Sequence, residues 1–153
     1  MFYKAIDIAN FFLSLDKENT IFKQDKNSKQ RLNNYLYCAQ VNWMAKTGLP
    51  LFEDQILAAK DGGIIREIEK QYDELINNKQ DIELPYELAD FLERIYKSLE
   101  YADNQGVTEV IQTDPAWQQY YYKNDKDGYP LNILGNTITY GKCYRSCVRA
   151  LYE

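Results

Sequence analysis

The feature that most constrains the fold is a long uncharged stretch in the first third of the chain. From Leu32 to Ala45 no side chain carries a charge, and leucine, tyrosine, alanine and tryptophan recur at helical spacing. Further apolar residues occupy much of the opposite side, so a helix here should be enclosed by neighbours on more than one side. At 1.5 Å per residue it would extend roughly 21 Å, which is too short to cross a bilayer. The stretch therefore predicts the central core helix of a soluble domain, spanning Arg31 to Lys46.

The ends of this helix have local signals. Residues 17–30 are polar and predict a surface connection, in which Asn27 or Ser28 is expected to cap the helix. Gly48 is expected to form the C-terminal cap, and Pro50 prevents the helix from continuing.

Amphipathic helices are predicted on both sides of the central segment. Tyr3–Leu15 carries one apolar stripe, and a second stripe begins at Ile64 and ends before Asn77. Pro85 suits the first residue of a further helix, whose apolar positions repeat at i, i+3, i+4 and i+7 as far as Ala102.

The remaining segments are less regular. Residues 53–61 fit either a short strand or the first turn of a helix, and residues 104–106 predict a turn before a short helix at Val107–Gln112. Another helical turn follows Pro115. The tail fits either a last helix from Asn136 or a small hairpin at Leu131–Tyr140. Together these patterns predict a mainly α fold, a compact single-domain helical bundle over residues 1–153, with a small β-hairpin as an open alternative.

Composition excludes several functions. The net charge of −5 disfavours a general nucleic-acid binder, and the chain contains no histidine, so no Ser-His-Asp or Cys-His site can form within it. The three cysteines are Cys38, Cys143 and Cys147, an odd number that fits a reducing cytoplasm better than a disulfide framework. The N-terminus lacks the layout of a signal peptide.

No motif supplies chemistry. The acids Asp54, Asp61, Asp73 and Glu74 are interpreted as a solvated face. The stretch 125–128 resembles the opening of a calcium loop but lacks the distal glutamate, and the cysteine pair near the C-terminus lacks further zinc ligands. We therefore predict no catalytic residue, no metal and no cofactor.

The most interesting surface candidate is the aromatic run after Pro115. Trp117, Tyr120, Tyr121 and Tyr122 lie within six residues, and three consecutive tyrosines cannot all face inward on one helix. Tyrosine and tryptophan are enriched at protein interfaces. These four residues are predicted to contact a partner, and the alternative is that Trp117 and one tyrosine close the core.

The order of segments is similar to a known family. YKAIDIANFFL at 3–13, RLNNYLYCAQ at 31–40, TGLPLF at 47–52, ILAAKDGGII at 56–65 and TDPAW at 113–117 resemble successive elements of the Panacea, or SocA-like, antitoxin domain, which includes phage-associated GepA-type proteins. The resemblance covers most of the chain and is most specific over 36–52. The chain departs from the family pattern at Ala59, Gly63 and Asp114, where the family has tryptophan, proline and histidine.

The resemblance implies a mostly helical domain that binds proteins and is not an enzyme. Family members neutralise a cognate toxin by direct binding, and one type acts as an adaptor that delivers the toxin to a protease. A phage- or prophage-encoded inhibitor of a host defence protein is the alternative, and an enzyme ranks last. The acidic charge would steer the chain toward basic protein partners. We expect a cytoplasmic protein with no membrane partner and no role in nucleic-acid binding.

Overall fold

Helices dominate the computed structural model, which describes residues 3–124 and 129–130, with side chains through Tyr121. The elements within these residues are α1 Ala5–Leu15, α2 Lys26–Thr47, β1 Leu57–Ala59, β2 Gly62–Ile64, α3 Arg66–Asn77, α4 Tyr86–Leu99, α5 Asn104–Gln112, α6 Pro115–Asn124 and β3 Tyr129–Pro130. The mainly α class is therefore confirmed. The predicted alternatives for the tail, a last helix or a hairpin, lie outside the described residues.

The uncharged segment forms the middle of α2, and its predicted burial is confirmed. Every residue from Leu32 to Val41 is buried, which a helix achieves only when neighbours enclose it on all sides. Helices α1, α3, α4 and α5 and strand β2 all contact α2. The central position predicted from the sequence is thus the observed one.

The N-terminus of α2 differs from the prediction. The helix begins at Lys26, and the cap is Asp25 rather than Asn27 or Ser28. The Asp25 carboxylate accepts the backbone N–H of Ser28 at 2.7 Å, and this bond lowers the pKa of the carboxyl group. Asp25 takes the role because its extended backbone lets the side chain reach back to an N–H that has no partner within the helix.

The C-terminus of α2 follows the prediction. Gly48 adopts a left-handed conformation with φ of 78°, and its N–H donates to the carbonyl of Met44 at 2.8 Å. Glycine accepts this conformation without steric cost, which explains the helix end at this position.

Strands occupy the segment that the sequence left ambiguous. β1 and β2 form an antiparallel hairpin in which Leu57 faces Ile64 and Ala59 faces Gly62. β3 pairs with the other edge of β1, so the strand order is β2-β1-β3. The strand interpretation of residues 53–61 is therefore correct for β1, and the helical one is wrong.

Helix α5 begins earlier than predicted. Residues 104–106 form its first turn rather than a separate turn, because the Asp103 carboxylate accepts the Gly106 N–H at 2.7 Å and so caps the helix. The N-terminus of α1 is satisfied from a distance, since Asp54 accepts the Ala5 N–H at 2.9 Å. Asp54 therefore has a structural role within the described residues.

Buried amide side chains connect α2 to its irregular neighbours. Asn33 accepts the Ile65 N–H at 2.9 Å, and Asn34 accepts the Gly63 N–H at 3.1 Å while donating to the Asp61 carbonyl at 3.0 Å. The backbone of short strands and turns must find partners when it is buried. These amides supply them, which explains why the uncharged segment of α2 is not purely apolar.

Tyr35 sits at the aromatic centre of the core. Its ring meets Phe12, Phe22 and Tyr96 edge to face, with ring centroids 5.8, 5.1 and 6.2 Å apart. Burial raises the pKa of its hydroxyl, which makes no hydrogen bond to any described residue. A buried hydroxyl without a partner lowers stability.

Replacing Tyr35 by phenylalanine should therefore stabilise the fold. We expect Tyr35→Phe to raise the free energy of unfolding by about 1 kcal/mol, because the desolvated hydroxyl is removed and the ring contacts remain. The matched control is Tyr72→Phe, since the Tyr72 hydroxyl donates to the Lys23 carbonyl at 2.6 Å and its loss should cost about 1 kcal/mol. Urea unfolding measures both. A loss for Tyr35→Phe as large as that for Tyr72→Phe would contradict the prediction.

Candidate functional site

The site singled out by the sequence is helix α6, which is fixed at its N-terminus by Asp114. The Asp114 side chain is fully buried, accepts the Ala116 N–H at 3.0 Å and accepts the hydroxyl proton of Tyr37 on α2. Pro115 occupies the first helical position, where a missing N–H has no cost. One buried carboxylate thus starts α6 and attaches it to the central helix.

Trp117 anchors the same helix to the hairpin. Its side chain is 1% exposed, and its indole Nε1–H donates to the carbonyls of Ala59 and Gly62, both at 3.0 Å. These two residues face each other across the β1–β2 pair. The indole therefore closes the end of the hairpin and orients α6 across it.

The first two residues of β2 must lack side chains for this arrangement. Gly62 has φ of 130°, and a Cβ there would lie 2.2 Å from Oδ1 of Asn34. A Cβ at Gly63 would lie 2.8 Å from Cδ2 of Tyr37. The glycine pair is thus required for close packing of β2 against α2.

The four predicted contact residues do not form one exposed patch. Trp117 lies in the core, which is the position given to it by the alternative interpretation of the sequence. The prediction that it contacts a partner at the surface is therefore corrected. Tyr121 stacks on the indole with centroids 4.7 Å apart and an interplanar angle of 12°, and Tyr120 is half-buried beside it. The side chain of Tyr122 lies outside the described residues.

The surface that α6 presents is therefore narrower than predicted. Tyr120 and Tyr121 each keep part of their side chain accessible, on a helix that Trp117 and Asp114 hold in place. A rigidly supported tyrosine can bury much area against a partner at low entropic cost. The contact prediction stays open for these two tyrosines.

The three departures from the resembled pattern meet around this anchor. The Ala59 carbonyl accepts from Trp117, Gly63 lies against the Tyr37 ring, and Asp114 bonds the Tyr37 hydroxyl. Ala59 is 3% exposed and Asp114 is fully buried, and Gly63 is buried as well. All three positions therefore take part in packing between α2, the hairpin and α6.

Three of the four acidic residues interpreted as a solvated face take part in hydrogen bonds, Asp61 through its backbone. Asp54 caps α1, the Asp61 carbonyl accepts from Asn34 and Thr108, and Glu74 accepts from Asn78 at 2.7 Å. Within residues 3–124 and 129–130, no group of three His, Cys, Asp or Glu residues is arranged to hold a metal ion. In that same part of the chain, no helix is both long and apolar enough to cross a membrane.

A second aromatic surface was missed by the sequence reasoning. Trp43 on α2 meets Phe91 on α4 edge to face at 5.1 Å, and both rings are half-buried. The Lys46 ammonium lies 5.6 Å from the Phe91 centroid and pairs with Glu87 at 3.7 Å. The signal in the sequence was the position of Trp43, which lies three residues before Lys46, the charge that follows the uncharged segment.

No family model, no curated protein and no solved structure matches the chain.

Proposed function

We propose that the chain is a non-enzymatic protein-binding module, one that acts like the Panacea antitoxins it resembles by binding a toxin directly. The observation that supports this most is the construction of α6, where buried Asp114 and Trp117 hold partly accessible Tyr120 and Tyr121 in fixed positions. An aromatic surface supported in this way suits recognition of another protein.

Charge supports the choice of partner. The net charge of −5 favours association with basic proteins, since complementary charges raise the rate of encounter. Toxins that act on RNA or nucleotides expose basic surfaces, and such a toxin fits as the cognate partner. We also propose a cytoplasmic location, which the odd number of cysteines supports.

The partner-binding prediction concerns the two α6 tyrosines. The partner is first identified by co-purification from the native host followed by mass spectrometry, with the neighbouring gene product as the leading candidate. We then expect the Tyr120→Ala, Tyr121→Ala double variant to bind it at least about tenfold more weakly, because aromatic residues at the centre of an interface contribute most of the affinity. Titration calorimetry with purified proteins measures the change.

The matched control is Tyr86→Ala. Tyr86 is 85% exposed at the start of α4, so its loss should leave both stability and partner affinity unchanged. Circular dichroism establishes that the double variant remains folded. Recovery of no partner above background, or an equal loss of affinity in Tyr86→Ala, would refute the proposal.

Growth assays separate the two biological settings. Co-expression with a toxic partner should restore growth of the host if the chain is an antitoxin. Restored phage growth in a host that carries a defence system, with no effect on toxin-induced arrest, would instead identify an inhibitor of host defence.

A further inference from the structure

A continuous groove lies on the side of the molecule formed by the end of α1, the turn that follows it and the second half of α4. Two adjoining cavities of about 450 and 260 Å³ make it up, and both are lined by Leu15, Tyr96 and Glu100. None of the α6 residues whose side chains are described, 115–121, lines either cavity. The groove is thus separate from the α6 tyrosines.

The floor of the groove is apolar and aromatic. Leu15 and Ile21 are partly buried, and Tyr96 is 8% exposed with its ring against Tyr35 in the core. Tyr101, 93% exposed, stands at one end. A concave apolar floor beside an exposed aromatic side chain is typical of a recognition site.

The wall opposite α4 is held rigidly by Asp16. Its carboxylate accepts the backbone N–H groups of Thr20, Ile21 and Phe22 at 2.9, 3.0 and 2.7 Å. The Lys79 ammonium donates to the Asp16 carbonyl at 2.6 Å. The turn is therefore already ordered, and a ligand would not lose affinity by having to order it.

The rim carries unsatisfied negative charge. Four carboxylates line the groove, from Asp16, Glu18, Glu93 and Glu100, beside two ammonium groups, from Lys17 and Lys97, so negative charge is in excess. Glu18, Glu93 and Glu100 form no ion pair with a described residue. Burial, together with the carboxylates of Asp16 and Glu100, raises the pKa of Tyr96 to about 12, so its hydroxyl stays protonated at neutral pH. Carboxylates next to an aromatic surface favour a cationic ligand. An arginine side chain can pair with the carboxylates and stack on an aromatic ring at the same time.

We propose that this groove docks a polypeptide segment of a protein partner in which arginine or lysine stands next to an apolar side chain. The apolar side chain fills the floor between Leu15 and Tyr96, and the cation reaches Glu93 and Glu100. The inference rests on the proposed protein-binding function and adds the chemistry of the partner. The excess of carboxylates over ammonium groups in the lining disfavours an anionic membrane surface or a nucleic acid.

The test uses the full chain and defined peptides. A short fluorescein-labelled peptide that alternates arginine with leucine is titrated by fluorescence anisotropy, beside a counterpart with glutamate in place of arginine. The Glu93→Lys, Glu100→Lys double variant should bind the arginine peptide at least about tenfold more weakly. Tyr101→Ala should lose about threefold, the factor expected for an exposed cation–π contact.

The controls separate the groove from overall charge. Glu67→Lys with Asp73→Lys makes the same change in net charge on α3, away from the groove, and should change affinity less than about twofold. Equal losses in the two double variants, binding of the glutamate peptide, or no binding of the arginine peptide would overturn the proposal.

The chain's own basic segment is a competing occupant. Residues 142–151 carry Lys142, Arg145 and Arg149 among apolar side chains. A peptide of this sequence, with both cysteines replaced by serine, would overturn the proposal if it alone bound the groove. Failure of the groove proposal is distinguishable from failure of the proposed protein-binding function. If a captured partner binds the groove variants as tightly as the unaltered chain, only the groove proposal is refuted and the protein-binding function stands.

Discussion

Replacing Trp117 by alanine is expected to lower the free energy of unfolding by about 3–5 kcal/mol, the range for truncating a fully buried large aromatic side chain. The indole is 1% exposed, stacks on Tyr121 and donates to two carbonyls of the hairpin. Its removal creates a cavity and takes one buried donor away from the carbonyls of Ala59 and Gly62. Urea unfolding followed by far-UV circular dichroism measures the loss.

Two variants divide this effect into its causes. Trp117→Phe keeps part of the ring contact but removes the N–H, so we expect an intermediate loss of about 1–3 kcal/mol. Trp43→Ala is the matched control, because Trp43 is the only other tryptophan in the sequence and is half-buried against Phe91. Its loss should be smaller by at least about 1 kcal/mol. Equal destabilisation at the two tryptophans would show that α6 does not depend on the hairpin anchor.

The sequence predicted those elements whose signal is local. The enclosed position of α2 followed from the absence of charge between Leu32 and Ala45, and its end at Gly48 followed from a residue type that tolerates φ of 78°. The amphipathic stripes located α1, α3 and α4 in the same way, because a helix displays its buried face at a fixed spacing.

The sequence did not decide between a strand and a helical turn for residues 53–61, because the strands of the hairpin have only three residues each. A segment this short has too few side chains to show an alternating pattern. Its conformation depends on residues far away in the sequence, since Asn34 bonds Gly63 across 29 positions and Trp117 bonds Ala59 across 58. A single sequence contains no signal for such pairs.

The candidate site was predicted only in part for a related reason. The run of aromatic residues indicates a helix with more large side chains than one face can bury, but not which of them is buried. Trp117 is the buried member because its indole N–H lies within hydrogen-bond distance of two hairpin carbonyls, which only the folded chain brings near it. The groove beside α4 was not predicted at all, since Leu15, Tyr96 and Glu100 meet only in the folded chain.

The amides of α2 lead to the second large effect, which concerns Gln40. This side chain is 1% exposed, accepts the N–H groups of Leu51 and Phe52 at 2.8 and 3.1 Å, and donates to the Phe52 carbonyl at 2.9 Å. The segment it holds also accepts the Tyr3 N–H at the Leu51 carbonyl, 3.0 Å away. One glutamine thus supplies three bonds to a buried link that connects to the N-terminus.

Gln40→Leu is therefore expected to lower the free energy of unfolding by about 3–5 kcal/mol, although leucine is a better helix former in an apolar site. Three buried backbone groups would lose their partners, each at a cost of about 1–3 kcal/mol with incomplete additivity. Gln40→Glu keeps two acceptor bonds but replaces the donor by a carboxylate facing the Phe52 carbonyl, so it should destabilise as well, and more strongly as the pH rises and the carboxyl ionises.

The matched control is Gln105→Leu on α5, where the exposed amide donates only to Glu109 at 3.1 Å and its loss should change stability by less than about 0.5 kcal/mol. Urea unfolding of both leucine variants decides the question. If Gln40→Leu lowered the free energy of unfolding as little as Gln105→Leu, the backbone groups of residues 51 and 52 would have to find hydrogen-bond partners outside α2. The glutamine at position 40 would then have a role other than bonding the backbone of residues 51 and 52.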